Sequence, residues 1–402
     1  MSTCSDQLNN PGEHSVVDIA PRHSEMAVVY GTRPEAIKCA PIIRAMRLTT
    51  DLGCRVVLTG QHPDMVKPIH EGFGIEIDDD LGIFAHQQGL SDIAAKTMTR
   101  LTPLLQERQP VAVLVQGDTT SALAAGLAAF YAGIAVIHIE AGLRTNSLMS
   151  PFPEEGNRRL LSQIATLHMA ATPGNYQNLL QNGIPAANIF MTGNPVIDAL
   201  HLAVDMPHQI SNSTVASLVS GDRPIVLITS HRRESWGEPM REIAAALRQV
   251  AIQESATTFV FPLHANPAVR EFFVPVLARL PNVALVEPLE YFDLAKLLAR
   301  ATLVITDSGG LQEEAPALGK PVLVLREETE RPEGVAAGTA ELVGYDKGLI
   351  LQRVTALLHD KDEYEHMAHA VNPYGDGKAS GRIINAVRTW LTAGGSIGGL
   401  AG

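Results

Sequence analysis

The chain has 402 residues, of which 46 % are hydrophobic and 18 % are charged, a composition typical of a globular protein. Its length favours two domains of roughly 150–200 residues over a single core. The formal net charge of −12 argues against broad affinity for nucleic acid, because binding phosphates requires a basic surface. No apolar run approaches the ~20 residues of a membrane span. We therefore expect a soluble protein that has neither nucleic acid nor a membrane as its partner.

The amino-terminal segment and the cysteines indicate the cellular compartment of the protein. Residues 1–25 lack the basic start and apolar stretch of a secretion signal, so we interpret them as a disordered leader. Cys4, Cys39 and Cys54 are odd in number and lack paired metal-type spacing, so neither a disulfide framework nor a structural zinc site is indicated. These features predict a cytoplasmic protein without a bound metal.

Short apolar runs recur along the first half of the chain, each followed by a turn signal and a helix-like segment. They are MAVVYGTRP, CRVVLTGQH, VAVLVQGDTT, IAVIHIEAG, LHMAAT and IFMTGNP. Uniformly apolar strands that alternate with helices are typical of parallel βαβ units covered on both faces. The pattern predicts a doubly wound sheet in a domain spanning residues 26–204.

The same pattern starts again in the second half, with PIVLITSHR, TTFVFPLHANP, VALVEPLEY, TLVITDSGG and PVLVLREE. Between the two halves, residues 205–224 are rich in Ser, Pro, Asn and Gly, as expected of an interdomain connection. We predict a second domain at 205–378, a final amphipathic helix at 379–393 and a loose tail at 394–402. Ligands of such sheets bind beyond the carboxyl ends of the strands, here in a cleft between the domains.

Two strand-to-helix turns carry groups suited to a diphosphate. In TDSGGLQEEAPALGKP, Ser308, Gly309 and Gly310 precede a helix, so backbone N–H groups and the helix terminus can hold an anion. In GTRPEAIKCAP, Arg33 and Lys38 approach the cleft from the other domain. Read singly, the glycine pair could be a plain tight turn and the two cations could be a solvated helix start.

Further polar groups follow strands of the second half. Arg331 lies in REETERPEGV, and SHRRE places His231, Arg232 and Arg233 at the first strand end of the second domain. The planar guanidinium suits phosphate, and histidine can donate to phosphate or carry a proton. We expect Glu314 to accept hydrogen bonds from ribose hydroxyls and Glu313 to face solvent.

One acidic residue stands out because Glu140 directly follows AVIHI, a run that reads as a buried strand. An unpaired buried carboxylate is costly, so its charge needs a partner or a purpose. The proline-rich loop that follows ends in PFPEEGNRR, with Glu154 at its helix start.

These segments resemble one family, the non-hydrolysing UDP-N-acetylglucosamine 2-epimerases. The motifs appear in family order over about residues 27–345: GTRPEAIK, TGQH, QGDTTSAL, HIEAGLRT, PFPEEGNRR, TGNPVIDAL, SHRRE, PLHANP, TDSGGLQEEAPALGKPVLVLR and TERPEGV. The resemblance implies a glycosyltransferase-B type α/β fold with two Rossmann-like domains, usually as a homodimer. It implies inversion at carbon 2 of a UDP sugar without nicotinamide cofactor or metal.

The resemblance also implies roles for individual residues. In this family the carbon 2 proton leaves as UDP departs from carbon 1, and UDP then returns to the glucal intermediate as a proton reaches the opposite face. Such a path needs separate acid and base groups. The family's catalytic positions match Lys38, Asp118, Glu140, Glu154 and His231. Its UDP-contacting positions match Arg33, Arg158, His231, Ser308, Gly309, Glu314 and Arg331, beside which Gly310 completes the glycine turn.

Structural roles for the acids stay open at this point. Asp118 could cap the helix that begins TTSALAAG. Glu140 could pair with Arg144, and Glu154 could pair with Arg158 one helical turn later.

Family members activated by their own substrate bind a second UDP sugar, at positions matching Gln61, Arg100, Glu154, Arg232 and His264. Here Asp64 stands where a second glutamine is expected, and Gly156 where many members have methionine. A carboxylate facing an anionic ligand would weaken binding, which argues against allosteric activation. The Gly156 change could instead alter sugar selection.

Other functions remain open on the sequence alone. A related branch epimerises UDP-2,3-diacetamido-glucuronic acid, and a hydrolysing relative releases free UDP. From a different class, a nucleotide-sugar sensor would bind without turnover, and a glycosyltransferase of the same fold would need an acceptor site that the sequence does not reveal.

Overall fold

The computed structural model describes residues 24–232 and 235–395. Most of the predicted leader (1–23) and most of the predicted tail (396–402) lie outside the described residues. The first strand begins at Ser24, two residues before the expected start of the domain, because Ser24 and Glu25 already pair with Leu52 and Gly53 of the next strand. Within the described ranges, no helix combines the length and apolarity needed to cross a membrane.

A seven-stranded parallel sheet forms the first domain, in the order β3-β2-β1-β4-β5-β6-β7. Its strands are β1 (Ser24–Tyr30), β2 (Leu52–Leu58), β3 (Asp79–Asp80), β4 (Ala112–Gln116), β5 (Ala135–Ala141), β6 (Leu167–Ala170) and β7 (Ile189–Met191). The connecting helices are α1 (Arg33–Arg47), α2 (Pro63–Phe73), α3 (Leu90–Arg108), α4 (Thr120–Tyr131), α5 (Glu154–Ile164), α6 (Pro173–Gln181) and α7 (Pro195–Asp205).

A six-stranded parallel sheet forms the second domain, in the order β10-β9-β8-β11-β12-β13. Its strands are β8 (Ile225–Thr229), β9 (Thr258–Pro262), β10 (Val283–Val286), β11 (Leu303–Thr306), β12 (Val322–Val324) and β13 (Ala340–Leu342). Its helices are α8 (Ser213–Val219), α9 (Glu238–Gln253), α10 (Pro267–Leu277), α11 (Tyr291–Arg300), α12 (Gly309–Ala317), α13 (Pro332–Ala336), α14 (Lys347–His359) and α15 (Lys361–Ala368). The predicted pair of doubly wound sheets is confirmed.

The predicted connection at 205–224 is more ordered than its composition suggests. It contains helix α8, because the Asn212 side chain accepts from the Val215 N–H and Val215 itself is buried. The buried Asp293 carboxylate on α11 accepts from His208 Nε2 at 2.6 Å and from Ser211 Oγ at 2.6 Å. Side chains of the second domain therefore hold this segment in place.

One apolar layer continues from the first domain into the second. Helices α1 and α7 pack against each other, and α11 packs against α7. Phe73 at the end of α2 lies against Phe292 of α11, with ring centroids 4.9 Å apart. Buried residues of both sheets thus belong to one core, which fixes how the strand ends of the two domains face each other.

The last helix, α16 (Ala379–Thr392), returns to the first domain and packs against α1 and α7. Its own N-cap residue, Lys378, makes no side-chain capping bond. Instead, the buried Asp198 carboxylate of α7 accepts from the backbone N–H groups of Ala379 and Ser380, at 3.1 and 2.8 Å. A residue of the first domain therefore caps the final helix.

We predict that Asp198→Ala lowers the free energy of unfolding by roughly 1–3 kcal/mol, because two buried N–H groups lose their acceptor. Urea unfolding followed by circular dichroism measures the change. Asp51→Ala is the matched control, since it removes an exposed ion pair to Arg388 of the same helix. Solvent screens exposed pairs, so its effect should be smaller. Equal effects of the two substitutions would contradict the capping role.

Candidate active site

A cavity of about 490 Å³ lies between the two domains. Arg33 and Lys38 of α1 line it from the first domain, and the segments that follow β8 to β11 line it from the second. It therefore lies at the carboxyl ends of the strands, where open parallel sheets bind ligands. Its volume is in the range of small-molecule sites, about 300–1,000 Å³.

The glycine turn after β11 forms one end of this cavity. Ser308 precedes α12 and does not cap it through its side chain, and both Ser308 and Gly310 line the cavity. A Cβ atom added to Gly310 would meet no neighbour closer than 3.6 Å, and one added to Gly309 none closer than 3.9 Å. Internal packing therefore does not require these glycines. Their value is that a ligand can approach the free N–H groups of the first helical turn.

His231, at the end of β8, lines the cavity and is held by a residue that the sequence analysis did not single out, Asp307. The buried Asp307 carboxylate accepts from the backbone N–H groups of His231 and Arg232 at 2.6 and 2.9 Å, and lies 3.3 Å from His231 Nδ1. Burial opposes ionisation, but the hydrogen bond and charge of His231 lower the pKa of Asp307. Like Glu140, Asp307 directly follows an apolar strand, and this sequence signal could have identified it.

Backbone geometry directs Glu140 away from the sheet. Its φ of 61° lies in the left-handed region, and the pairing of β5 with β6 is interrupted between Ile139 and Ala141. Such a conformation is costly for a residue with a side chain and is found where surrounding structure enforces it. The carboxylate consequently leaves the strand end on the cleft side.

The Glu140 carboxylate accepts three hydrogen bonds. Lys38 Nζ lies 2.6 Å from Oε2, Gln116 Nε2 donates to the same oxygen, and Asn194 Nδ2 donates to Oε1 at 3.0 Å. Burial alone would raise the pKa of Glu140, but the Lys38 ammonium outweighs burial and the pKa falls below its ordinary value. Burial in turn works against the charge of Lys38, yet Glu140 raises its pKa. Both groups are charged at neutral pH.

Glu313 does not face solvent as predicted but is buried. Arg331 Nε donates to Glu313 Oε1, and Asn194 Nδ2 donates to Glu313 Oε2 at 2.6 Å. Although burial opposes the charge of Arg331, the carboxylates of Glu313 and Glu140 raise its pKa. The prediction for Glu313 is wrong because two successive glutamates on a helix carry no signal of which one turns inward.

Asp118 follows β4 on the first-domain side of the cleft, and Arg158 Nη2 lies 2.6 Å from its Oδ2. Burial raises the pKa of Asp118; Arg158 lowers it, and Glu140 adds to the increase. The capping alternative for Asp118 is wrong, because the Thr119 side chain caps α4 by accepting from the Ala122 N–H at 3.0 Å.

Known proteins can now be compared with this geometry. The model of the family described as UDP-N-acetylglucosamine 2-epimerase matches residues 44–388. The chain belongs to this epimerase family. It is similar to a putative UDP-N-acetylglucosamine 2-epimerase of Thermotoga maritima, at 47 % identity over 89 % of this chain and 95 % of that protein. It is similar to the UDP-N-acetylglucosamine 2-epimerase of Escherichia coli K12, at 46 % identity over 90 % and 98 %.

Solved epimerase structures share the fold. A putative UDP-N-acetylglucosamine 2-epimerase from Listeria monocytogenes is 41 % identical with a TM-score of 0.87, covering 92 % of this chain and 97 % of that one. The UDP-GlcNAc 2-epimerase of Neisseria meningitidis, solved bound to UDP-GlcNAc, is 42 % identical with a TM-score of 0.80, covering 91 % and 100 %. The predicted glycosyltransferase-B type fold and the assignment to the isomerases are confirmed.

Glu140 and Glu154 do not form the local ion pairs that the sequence left open. Arg144 donates to Asn182 and Ser162, so the expected Glu140–Arg144 pair does not form. Arg158 binds Asp118 and the buried Glu155, so the Glu154–Arg158 pair does not form either. Among the described residues, Glu154 has neither a hydrogen-bond nor an ion-pair partner.

The family's UDP-contacting positions divide into two groups. The members that line the cavity are Arg33, His231, Ser308, Glu314 and Arg331, and Gly310 of the adjoining glycine turn lines it with them. Gly309 lies between two of them at the start of α12. Arg158 is different, because its buried guanidinium is occupied by Asp118 and Glu155 and does not line this cavity.

The proposed second-site residues also separate. His264 lines the cavity and stacks on His231 with ring centroids 5.5 Å apart, and the backbone of neighbouring Arg232 is held by Asp307. Gln61 instead accepts from Ser121 Oγ, and the Arg100 guanidinium donates to the carbonyls of Leu81 and Gly82. Asp64 lines a separate groove on the first domain. The expectation that a second UDP sugar does not activate the enzyme stays a prediction. Arg233, which follows Arg232 in SHRRE, lies outside the described residues.

Glu314 generates a prediction about pH. Burial and the neighbouring Glu313 raise the pKa of Glu314 to about 8 from its ordinary 4.5. The folded state therefore keeps a proton that the unfolded chain has released, so this residue costs stability as pH rises from about 4.5 to about 8. Glu314→Gln should thus stabilise the ligand-free epimerase by roughly 1–3 kcal/mol above that window and by nothing below it.

Denaturant unfolding of wild type and Glu314→Gln at pH values across the window measures this difference. The exposed Glu107 provides a matched control, because Glu107→Gln should give the same small difference at every pH. A flat difference for Glu314→Gln as well would contradict the assignment.

Proposed function

We propose that this epimerase interconverts UDP-N-acetylglucosamine and UDP-N-acetylmannosamine without hydrolysis, by eliminating and re-adding UDP. The observation that carries the proposal is one cleft in which Lys38, paired with Glu140, lines the same cavity as Ser308 and Arg331. Groups able to move a proton thus lie beside groups able to hold a diphosphate. The bound UDP-GlcNAc of the Neisseria relative supports the choice of substrate.

The reaction balances without a cofactor. A base takes the proton from carbon 2, the electron pair of that C–H bond becomes the C1=C2 double bond, and the C1–O bond to the diphosphate breaks with its electrons leaving on UDP. UDP then returns to carbon 1 while an acid delivers a proton to the other face of carbon 2. No carbonyl acidifies the carbon 2 proton, so stabilising the departing diphosphate must supply much of the catalysis.

Arginine and the glycine turn are suited to that task. Arg33 and Arg331 approach the cavity from opposite domains, and the N–H groups of Gly309 and Gly310, with the Ser308 hydroxyl, offer an uncharged cradle. His231 supplies a further donor whose orientation Asp307 fixes. We assign ribose recognition to Glu314. Arg158 acts by orienting Asp118 and not by contacting UDP.

Glu140 and Asp118 are driven in opposite directions, which supports separate roles. Neither lines the cavity, whose lining acids are Glu313 and Glu314, but Glu140 binds the lining residue Lys38. The Lys38 charge keeps Glu140 ionised against burial, whereas burial raises the pKa of Asp118. Environments that push two carboxyl groups apart are how one site contains both a base and an acid. We propose Glu140 as the base of the forward elimination and Asp118 as the proton donor, with the roles reversed for the other epimer. Glu154, at the start of α5 after the proline-rich loop, stays a candidate proton donor.

An assay in deuterium oxide tests the proposal. Wild type incubated with UDP-N-acetylglucosamine should place deuterium at carbon 2 of both epimers, as followed by NMR. Glu140→Gln and Lys38→Met should each reduce exchange by about 10²–10⁴-fold, the range for lost proton-transfer groups, while UDP binding by calorimetry changes much less. Lys67→Met is the control, because Lys67 is exposed and pairs only with Glu71 within the described residues.

Three results would contradict the assignment. Unlabelled sugar with no second epimer would exclude this substrate, and the same assay with other UDP sugars would then identify the one accepted. Stoichiometric free UDP would indicate the hydrolysing reaction. Saturable binding without any exchange would indicate a sensor.

We also propose that the enzyme is a cytoplasmic homodimer. Phe130 and Tyr131 at the end of α4 are 43 % and 70 % exposed, and Leu160 on the adjacent α5 is 59 % exposed. Neighbouring exposed apolar side chains of this kind suit an interface between subunits. Tyr131→Glu should shift the sedimentation coefficient of a dimer towards that of a monomer, whereas a wild-type monomer would reject the proposal.

A further inference from the structure

One neutral side chain bridges two carboxylates between the domains, the buried Glu313 and the partly buried Glu140. Asn194 Nδ2 donates to Glu140 Oε1 at 3.0 Å and to Glu313 Oε2 at 2.6 Å. Glu140 ends a strand of the first domain, and Glu313 belongs to α12 of the second. Asn194 itself is 1 % exposed, so water does not replace either bond. The TGNPVIDAL segment that contains it has no role in the proposed chemistry described above.

Asparagine is unusually suited to this position. Its amide nitrogen carries two N–H groups, one for each carboxylate, and its Oδ1 accepts from the Val196 N–H at 3.1 Å to cap α7. Aspartate could keep the cap but would bring a third negative charge against two others. Serine could keep the cap but has only one donor. Neither could hold both glutamates.

The bridge completes a hydrogen-bonded series across the cleft. Lys38 binds Glu140, Asn194 links Glu140 to Glu313, and Glu313 binds Arg331. The two positive and two negative charges balance, which lowers the cost of burying them together. A second connection supports the same geometry, because the Asn194 N–H donates to the Tyr374 carbonyl at 2.7 Å and the Tyr374 hydroxyl donates to the Arg331 carbonyl at 3.1 Å.

We propose that Asn194 is a positioning residue that sets Glu140 and Arg331 relative to each other, so that proton transfer and diphosphate departure occur in one geometry. This inference rests on the proposed function, in which Glu140 moves the proton and Arg331 holds the diphosphate. Asn194 contacts neither reacting atom in this arrangement and acts through its two glutamates. Small misplacements of catalytic groups are expensive, with a shift of about 1 Å costing on the order of 100-fold in rate.

The charges around the two glutamates determine the expected pH effect. Those that influence the pair electrostatically are Lys38, Asp118, His138, Glu314, Arg331 and Tyr374. A new carboxylate at position 194 adds negative charge and so makes ionisation of Glu140 harder. In the proposed mechanism Glu140 acts in its ionised form. Raising its pKa therefore moves the loss of activity on acidification to a higher pH.

Two substitutions with different charge test this role. Asn194→Asp should lower kcat about 100-fold and move the acidic limb of the kcat profile to higher pH. Asn194→Ser should lower kcat by a similar factor and move that limb less, because it removes a hydrogen bond to Glu140 but adds no charge. UDP affinity, measured by calorimetry, should change much less than kcat in both. Asn266→Asp is the matched control, since Asn266 caps α10 by the same type of bond, to the Ala268 N–H at 3.0 Å.

The outcomes separate the two proposals. A wild-type enzyme that does not epimerise would overturn the proposed function itself. Active wild type with unchanged kcat and pH profile in Asn194→Asp would overturn only the positioning role. Equal acidic shifts in Asn194→Asp and Asn266→Asp would also overturn it, because a charge outside the Glu140–Glu313 bridge would then suffice. If Asn194→Asp fails to fold, an Asn194→Ser enzyme with native circular dichroism and unchanged kcat gives the same negative answer.

Discussion

The site depends on the ion pair between Lys38 and Glu140. A carboxylate at the buried end of a strand is stable only if other groups replace the water it loses. Lysine from α1 supplies charge, and the amides of Gln116 and Asn194 occupy the remaining acceptor positions. The left-handed backbone at Glu140 contributes to this arrangement, because it turns the side chain towards those partners. Reactivity and local stability therefore involve the same few atoms.

Both sheets are needed to build this environment. Parallel strands deliver their carboxyl ends to one edge, so each domain contributes a row of loops, and the shared apolar layer through α1, α7 and α11 sets the two rows opposite each other. Cations then reach the cavity from both sides, while Glu140 and Glu313 meet between them. The arrangement places the glycine turn opposite residues of the first domain and not opposite open solvent.

The sequence was sufficient for much of this. Uniform apolar runs identified both sheets, and the glycine turn, Arg33, Lys38 and Glu140 were all expected in the cleft, where Lys38 and Glu140 meet. Sequence could not reveal Asn194, because its importance comes from contacts across long separations and asparagine is common at helix starts and turns. Asp307 was overlooked although it directly follows an apolar strand. Glu313 was wrongly predicted to face solvent for a related reason, because tertiary packing decides which of two adjacent glutamates is buried. The order of the linker could not be predicted either, because it comes from hydrogen bonds to Asp293, a carboxylate that is distant in the sequence.

The cap that Asp198 provides for α16 has a consequence for biosynthesis. Residues near 379 leave the ribosome about 180 positions after the aspartate that anchors them, so the packing surface of α1 and α7 stays uncovered until α16 has been synthesised. The first domain therefore lacks part of its packing before that point. Contacts of such long sequence separation also slow folding, since the intervening loop must close first.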